Sequence, residues 1–191
     1  MTPIIPYTAV LACHPGTCSQ VVYGIEAHVR RTGNETFKVT YALTGDITRL
    51  RIPPPGPPRR AEGLWQHTCF EVFIAEKGQL TYYEFNFSPS GEWAAYEFKG
   101  YRDGGSIADD GLDPKIALRS AANSLELEAI VRLDRLQASS SQTPLRMGLS
   151  TVIEETDGAF SYWALKHRPG KPDFHHPDSF ALELALPDKS A

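Results

Sequence analysis

The sequence predicts an all-β protein, and three observations support this fold class. Segments rich in Val, Ile, Thr, Tyr and Phe recur along the whole chain, as strands require. Clusters of Gly, Pro, Asn, Asp and Ser separate these segments and indicate turns. No long segment shows the periodicity of an amphipathic helix. The number of strands favours a β-sandwich of two mainly antiparallel sheets, of immunoglobulin size or larger, over one open sheet.

Each predicted strand is a run of β-branched or aromatic residues bounded by turn residues. In chain order, the predicted strands are 21–31, 36–44, 49–52, 64–75, 80–87, 93–101, 116–120, 124–133, 145–154, 162–167 and 179–186.

Three segments between these strands are irregular. Residues 53–60 hold five prolines and predict a stiff polyproline-like crossing that cannot join a ladder. Residues 102–114, with three Gly and four Asp, are typical of a flexible connection. Residues 168–178 hold three prolines and two adjacent histidines, which predicts a long, ordered surface loop.

Size and charge restrict the class of protein. A chain of 191 residues fits one domain, 1–191, with a sizeable core. The net charge of −4 gives no electrostatic reason to bind nucleic acid. No apolar run approaches the roughly 20 residues that span a bilayer, and the first 12 residues do not resemble a signal peptide. We expect a cytoplasmic protein without nucleic-acid or membrane partners; an oligomer is possible but not indicated.

The three cysteines, Cys13, Cys18 and Cys69, are an odd number, and the simplest interpretation is that they are reduced thiols. Cys13 and Cys18 flank His14 and resemble half of a zinc site. Because no second ligand pair has zinc-finger spacing, we predict no metal there.

The centre of the chain, residues 64–99, predicts a three-strand meander. A four-residue turn at 76–79 would pair Ala75 with Leu80 and therefore Glu71 with Glu84. One face of the first two strands is then apolar, consisting of Phe70, Val72, Ile74, Tyr83, Phe85 and Phe87. A register slipped by one residue would place phenylalanines among glutamates, which supports this assignment.

The second turn of the meander, 88–91, contains Pro and Gly at positions suited to a tight reversal. It would pair Asn86 with Trp93, so that Ala94, Tyr96 and Phe98 extend the apolar face. The opposite face then holds Trp65, His67, Cys69, Glu71, Tyr82, Glu84, Asn86, Trp93 and Glu97.

Two carboxylates directly opposite on neighbouring strands are unfavourable unless something lies between them. A basic side chain is one candidate, from Arg51, Arg102 or Lys166. A calcium ion is a second, because it prefers hard oxygen ligands. A sugar is a third, since its hydroxyls bond to carboxylates while tryptophan rings pack on its C–H faces. The sequence leaves these alternatives open.

Four blocks of sequence resemble the DOMON-like domains related to type 9 carbohydrate-binding modules. They are YALTGDITRLRIP (41–53), LWQHTCFEVFI (64–74), YYEFNFSPSGEWAAYEF (82–98) and PDFHHPDSFALEL (172–184). The resemblance covers most of the chain and implies a β-sandwich of jelly-roll character. It also implies a ligand on a face or end of the sandwich, a sugar or, in the wider superfamily, haem.

The sugar-binding members clamp a terminal sugar between two tryptophans and add carboxylate, amide and basic groups. The resemblance therefore makes Trp65, Trp93 and Trp163 clamp candidates, without deciding which two. The haem-binding members of the superfamily use a Met and a His as axial ligands. Met147 lies in an apolar strand and is typical of a core residue, so we expect neither haem nor any other cofactor.

The leading hypothesis is a non-catalytic domain that binds a carbohydrate or sugar-like ligand. The expected contacts are Trp65, His67, Glu71, Glu84, Asn86, Trp93 and Trp163. The first alternative is a structural or protein-interaction domain, for which the exposed aromatics would form a partner surface. The second is a glycoside-processing enzyme that uses Glu71 and Glu84 as its acid and base.

Two histidine sites have competing interpretations. His67 could act as a general base, although a lone strand histidine is more often a hydrogen-bonded structural group. His175 and His176, with Asp173 and Asp178, could hold a metal. Since their composition is also that of a surface loop, we predict the loop, with no metal site and no catalytic residue.

Overall fold

The computed structural model describes residues 7–32, 36–136 and 143–184. The strands within them are Tyr7–Cys13 (β1), Val22–Arg31 (β2), Thr36–Gly45 (β3), Arg59–Arg60 (β4), Cys69–Glu76 (β5), Tyr82–Phe87 (β6), Glu92–Gly100 (β7), Asp103–Ser106 (β8), Lys115–Ala121 (β9), Ser124–Arg132 (β10), Leu145–Glu154 (β11), Phe160–Ala164 (β12) and Leu182–Leu184 (β13). Single-turn 3-10 helices lie at Pro15–Thr17, Ile47–Arg49, Leu64–Gln66, Asp110–Leu112 and Pro177–Ser179.

The all-β class is confirmed, with differences in individual elements. The predicted strand 49–52 is instead a helical turn followed by a single bridge between Leu50 and Glu155. Strands β1, β4 and β8 were not predicted. The last predicted strand is shorter, and residues 185–186 of it lie outside the described residues. No helix in the described ranges is long and apolar enough to cross a membrane.

The strands form one continuous curled sheet in the order β4-β7-β6-β5-β11-β12-β1-β2-β3-β10-β9, with β8 added to β7 and β13 to β11. Only the short β4–β7 pair is parallel among these neighbours. Strand β1 joins the two halves, because residues 7–11 pair with β2 whereas Ala12 and Cys13 pair with β12. The expected division into two separate sheets is therefore not observed.

The two halves of the curled sheet close over a shared core. Apolar residues of β2, β3 and β10 form one buried cluster with those of β5, β6 and β11. Tyr41 of β3 spans this core: its hydroxyl donates to the Glu71 carbonyl oxygen over 2.6 Å, and its ring lies 5.3 Å from that of Phe70. Met147 is fully buried in the same cluster. The outer faces of the two halves point away from this core.

The observed β5–β6 register differs from the predicted one by two residues. Ala75 pairs with Tyr82 rather than Leu80, so Glu71 faces Asn86 and Glu84 faces Phe73. The turn closes as expected, with the Gln79 N–H donating to the Glu76 oxygen over 3.0 Å, but the ladder begins only at Tyr82. The predicted Glu71–Glu84 pairing is wrong. Since a shift of two preserves side-chain alternation, both predicted faces survive.

The β6–β7 register differs by one residue, which reverses the faces of β7. Phe87 pairs with Trp93, and Asn86 with Ala94. The cause is a three-residue loop in which Gly91 has φ +91° and the Ser88 N–H bonds to the Glu92 oxygen over 2.9 Å. A left-handed residue at the end of the loop is typical of three-residue hairpins. Trp93 therefore packs in the core, where Ala94 had been expected. Tyr96 and Phe98 join the face that carries Glu84.

Candidate functional site

An open pocket of about 480 Å³ lies on the outer face of the half-sheet formed by β7, β6, β5, β11 and β12. Alternation along these strands brings polar side chains to its floor and aromatic side chains to its rim. The lining residues are Trp65, Gln66, Glu71, Glu84, Tyr96, Phe98, Arg102, Val152, Phe160, Tyr162, Pro172, Phe174 and His175.

Two carboxyl groups form the floor. Glu71 of β5 is 3% exposed and Glu84 of β6 is 5% exposed. Because Glu71 is directly opposite Asn86 rather than Glu84, the two carboxyl groups are diagonal neighbours on the same face of the sheet. The pocket therefore has a small acidic floor on two adjacent strands.

The floor has few hydrogen bonds for the number of acceptors in it. Asn86 Nδ2 donates to Glu84 Oε1 over 2.9 Å, and Ser150 Oγ donates to Glu71 Oε2 over 3.4 Å. Asn86 Oδ1 is buried without a hydrogen-bond partner. A buried acceptor without a donor is costly.

The cations expected to bridge the two glutamates are engaged elsewhere. Arg51 pairs with Glu154 over 2.9 Å. Arg102 lines the pocket, but its guanidinium bonds to Asp173 over 2.9 Å, and Lys166 is exposed. Among the described residues, the basic side chain that comes nearest to this floor is His175, whose Nε2 lies 3.5 Å from Glu84 Oε2.

Burial changes the acidity of both floor carboxyls. Loss of hydration raises the pKa of Glu84 from 4.5 to about 7. Burial, and next the negative charge of Glu84, raise the pKa of Glu71 well above its usual range. Like charges in a poorly hydrated place oppose each other's ionisation. At neutral pH the pair therefore retains protons that exposed glutamates would have lost.

His175 reaches the floor from the 168–178 loop and belongs to a chain of hydrogen bonds. The backbone N–H of Arg102 donates to the Tyr82 hydroxyl over 3.1 Å, and that hydroxyl lies 2.9 Å from His175 Nδ1. Nε2 of the same ring is 3.5 Å from Glu84 Oε2. Because the Tyr82 oxygen accepts the backbone hydrogen bond, the Tyr82 hydroxyl can donate its own proton to Nδ1. The neutral imidazole ring then carries its proton on Nε2, which faces Glu84.

His175 is neutral at physiological pH. Its ring is surrounded by aromatic rings, with Phe98 at 5.0 Å and Phe73 at 5.1 Å between centroids. Burial, and next the positive charge of Arg102, lower its pKa to about 4. The histidine is therefore a neutral polar group beside Glu84 and does not supply a compensating charge.

The rim of the pocket is aromatic and is built from distant parts of the chain. Trp65 is 52% exposed and lies on the single turn Leu64–Gln66, which follows Gly63 at φ +74°. Phe160 and Tyr162 come from β12, and Phe174 comes from the 168–178 loop. Of the three tryptophans, Trp65 alone is exposed; Trp93 and Trp163 are buried, with only 3% and 7% of their surface accessible.

The structure brings together only some of the site residues predicted from the sequence. Trp65, Glu71 and Glu84 line the pocket, and Asn86 lies beneath it in contact with Glu84. Trp93 and Trp163 are in the core cluster and do not line the pocket. The face predicted for Trp93 is wrong because the register of β7 is reversed, and Trp163, a clamp candidate, is not at the rim.

His67 lies outside this pocket, in a second one of about 490 Å³ with Arg51 and Glu154. Its Nδ1 is 2.8 Å from Glu154 Oε2, which matches the structural interpretation of this histidine. Gln66 lines both pockets.

Several lining residues were missed. Tyr96 and Phe98 were assigned to the wrong face, and the 168–178 loop was expected on the surface although it covers one side of the pocket. The aromatic and histidine residues inside that proline-rich loop were the signal that it packs against something. No cluster of three or more metal-ligating side chains occurs in residues 7–32, 36–136 and 143–184.

Solved structures resemble this chain in fold. A candidate carbohydrate-binding protein from Bacteroides uniformis superimposes with a TM-score of 0.68 at 14% identity, covering 91% of this chain and 83% of that one. A family 9 carbohydrate-binding module from Caldicellulosiruptor kristjanssonii, in complex with cellotriose, gives 0.61 at 12% identity, covering 97% and 84%. A family 9 module from the same organism, in complex with glucose, gives 0.58 at 11% identity, covering 98% and 86%.

At these identities the likeness shows a shared fold. No protein-family model matches the chain, and no curated protein matches it in sequence. The expected resemblance to type 9 carbohydrate-binding modules is confirmed for the fold, whereas a relation to DOMON-like domains is not shown by these structures.

Proposed function

We propose that this chain binds a carbohydrate, without catalysis, in the pocket above Glu71 and Glu84. The observation that carries the proposal is the combination of an aromatic rim with an acceptor-rich floor in one open pocket. Sugars present apolar C–H faces and hydroxyl edges, and this pocket offers a surface for each.

The exposed Trp65 ring is the proposed stacking platform. Because Trp93 and Trp163 are in the core, a clamp of two tryptophans is not available, and we propose that rim residues such as Tyr162 or Phe174 take the second position. The carboxyls of Glu71 and Glu84 would bond to sugar hydroxyls. The volume of about 480 Å³ falls within the usual range of small-molecule sites, about 300–1,000 Å³.

Binding without turnover is the version of this function that the geometry supports best. The two carboxyls are diagonal rather than directly opposite, and the pocket is open to water, whereas acid–base catalysis benefits from an enclosed site. The likeness to modules solved with cellotriose and glucose supports a sugar ligand. We further propose that the curled sheet is a form of the jelly-roll sandwich and that the chain is related to DOMON-like domains.

Isothermal titration calorimetry against a panel of mono- and oligosaccharides, including glucose and cellotriose, tests the proposal. We expect binding by the unmodified chain and its loss in Trp65→Ala. The matched control is Tyr23→Ala, since Tyr23 is also an exposed aromatic residue but lies on β2, in the other half of the sheet. Absence of heat across the panel, or equal binding by Trp65→Ala, would contradict the proposal.

A further inference from the structure

The pocket floor contains more hydrogen-bond acceptors than the chain satisfies. Asn86 Oδ1 is fully buried without a partner. Glu71 receives one long hydrogen bond from Ser150, at 3.4 Å. Glu84 Oε2 has its nearest donor in His175, at 3.5 Å. The floor therefore favours a ligand group that donates several hydrogen bonds.

Among the described residues, no permanent cation forms an ion pair with either glutamate of this floor. The guanidinium of Arg102 bonds to Asp173, and His175 is neutral. The titratable and charged groups that face the pair are Cys69, Tyr82, Tyr96, Arg102, Tyr162, Asp173 and His175. Arg102 is the one permanent cation among them, and its charge lowers the pKa of both glutamates. Its guanidinium is bound to Asp173, however, and forms no ion pair with either glutamate, so a positive group in direct contact with them would come from the ligand.

We propose that the sugar preferred by this pocket carries an ammonium group, which binds between Glu71 and Glu84. This inference rests on the proposed carbohydrate-binding function and specifies its ligand class as amino sugars. An ammonium group brings three donors and one positive charge, and hydrogen bonds between charged partners are stronger than neutral ones. A hydroxyl group brings one donor and no charge.

Other ligand groups fit the floor less well. An N-acetylated amino sugar keeps the nitrogen but loses the charge and two of the donors. A uronic acid adds a third carboxylate to the two already present. A calcium ion takes six to eight oxygen ligands, whereas the described residues include no metal-ligating cluster of three or more side chains.

Calorimetric titration of glucosamine, glucose, N-acetylglucosamine and glucuronate tests this inference. At pH 7 we expect glucosamine to bind about tenfold more tightly than glucose, since a hydrogen bond between charged partners is stronger than a neutral one; tenfold corresponds to about 1.4 kcal/mol. N-acetylglucosamine should bind no better than glucose, and glucuronate worse.

The preference for glucosamine should depend on pH and on the two glutamates. At pH 5 the Glu84 carboxyl, with a pKa of about 7, is protonated, and the raised pKa of Glu71 acts in the same direction, so the ratio of affinities should fall towards one. At pH 7 the ammonium group should displace protons, so the measured heat should change with the ionisation enthalpy of the buffer. Glu71→Gln and Glu84→Gln should each reduce the preference, whereas Glu26→Gln, on the distant strand β2, should not.

The outcomes separate the two proposals. If neutral sugars bind and glucosamine binds no more tightly, the amino-sugar inference is overturned and the proposed function stands. If no sugar binds, both are overturned. A glucosamine preference that persists in both glutamine variants would also overturn the inference, because the charge recognition would then lie elsewhere.

Discussion

Replacing Glu84 by Gln provides a direct test of the electrostatics of the pocket floor. The Glu84 carboxyl is 5% exposed, and burial raises its pKa to about 7, against an ordinary value of 4.5 in the unfolded chain. Gln has nearly the same shape but is neutral at every pH. It therefore mimics the protonated carboxyl, and its oxygen can still accept the hydrogen bond from Asn86.

The sign of the effect follows from the raised pKa. Between pH 4.5 and 7 the unfolded chain loses the Glu84 proton while the folded chain keeps it, so unfolding releases a proton and stability falls as the pH rises. At about 1.4 kcal/mol per pH unit, the interval from 4.5 to about 7 corresponds to about 3 kcal/mol. Between pH 5 and pH 8, about 2–3 kcal/mol of this loss should be observable.

Urea unfolding of the unmodified chain and of Glu84→Gln at pH 5 and pH 8 measures this difference. We expect the free energy of unfolding of the variant, relative to the unmodified chain, to rise by about 2–3 kcal/mol between the two pH values. Effects that do not depend on pH, such as a changed contact with His175, cancel in this comparison. Glu26→Gln is the control, because the Glu26 side chain is 57% exposed.

A parallel response of the two chains between pH 5 and pH 8 would refute the reasoning. It would mean that the Glu84 carboxyl stays hydrated or finds a cationic partner in solution. Both proposals for the pocket would then lose their electrostatic support, since they depend on this desolvated floor.

Three further predictions concern other parts of the molecule. Trp65 should account for most of the tryptophan fluorescence that acrylamide quenches, because Trp93 and Trp163 are buried. The emission of Trp65→Phe should therefore be blue-shifted and poorly quenched by acrylamide. Trp93→Ala should lower the free energy of unfolding by about 3–5 kcal/mol in urea titrations, whereas Trp65→Ala should cost less than about 1 kcal/mol; equal costs would contradict the reversed register of β7. Gly91→Ala should cost about 1 kcal/mol or more, because Gly91 has φ +91° and its added Cβ would lie 3.3 Å from the Gly56 oxygen; an unchanged urea midpoint would contradict this loop geometry.

The sequence predicted the two faces of β5 and β6 correctly although its register was wrong. Side chains alternate with a period of two, so an error of two residues leaves Glu71 and Glu84 on the same face. For β7 the error was a single residue. The segment Ser88–Pro89–Ser90–Gly91 suits both a four-residue turn and the observed three-residue loop, and the left-handed conformation of Gly91 decides between them. Because the observed loop differs by one residue from the predicted turn, Trp93 lies in the core and not on the predicted ligand face.

The remainder of the pocket could not be predicted because it depends on contacts between distant segments. Tyr162 and Phe174 reach the rim only because β11 pairs with β5 and β12 pairs with β11. Composition shows that aromatic residues occur there, but not which face they occupy. The pKa of Glu84 likewise depends on how completely neighbouring elements exclude water, a property that no local pattern carries.

Strand β1 covers backbone edges in both halves of the curled sheet. Residues 7–11 pair with β2, and the last two residues of the strand pair with β12. Without β1, the sheet would be divided there into two, each with an unpaired edge strand. Without Tyr7–Cys13, two lengths of unpaired backbone would be open to pairing with strands of other molecules. A segment that contributes no side chain to the pocket thus protects the pocket-bearing half from edge-to-edge pairing.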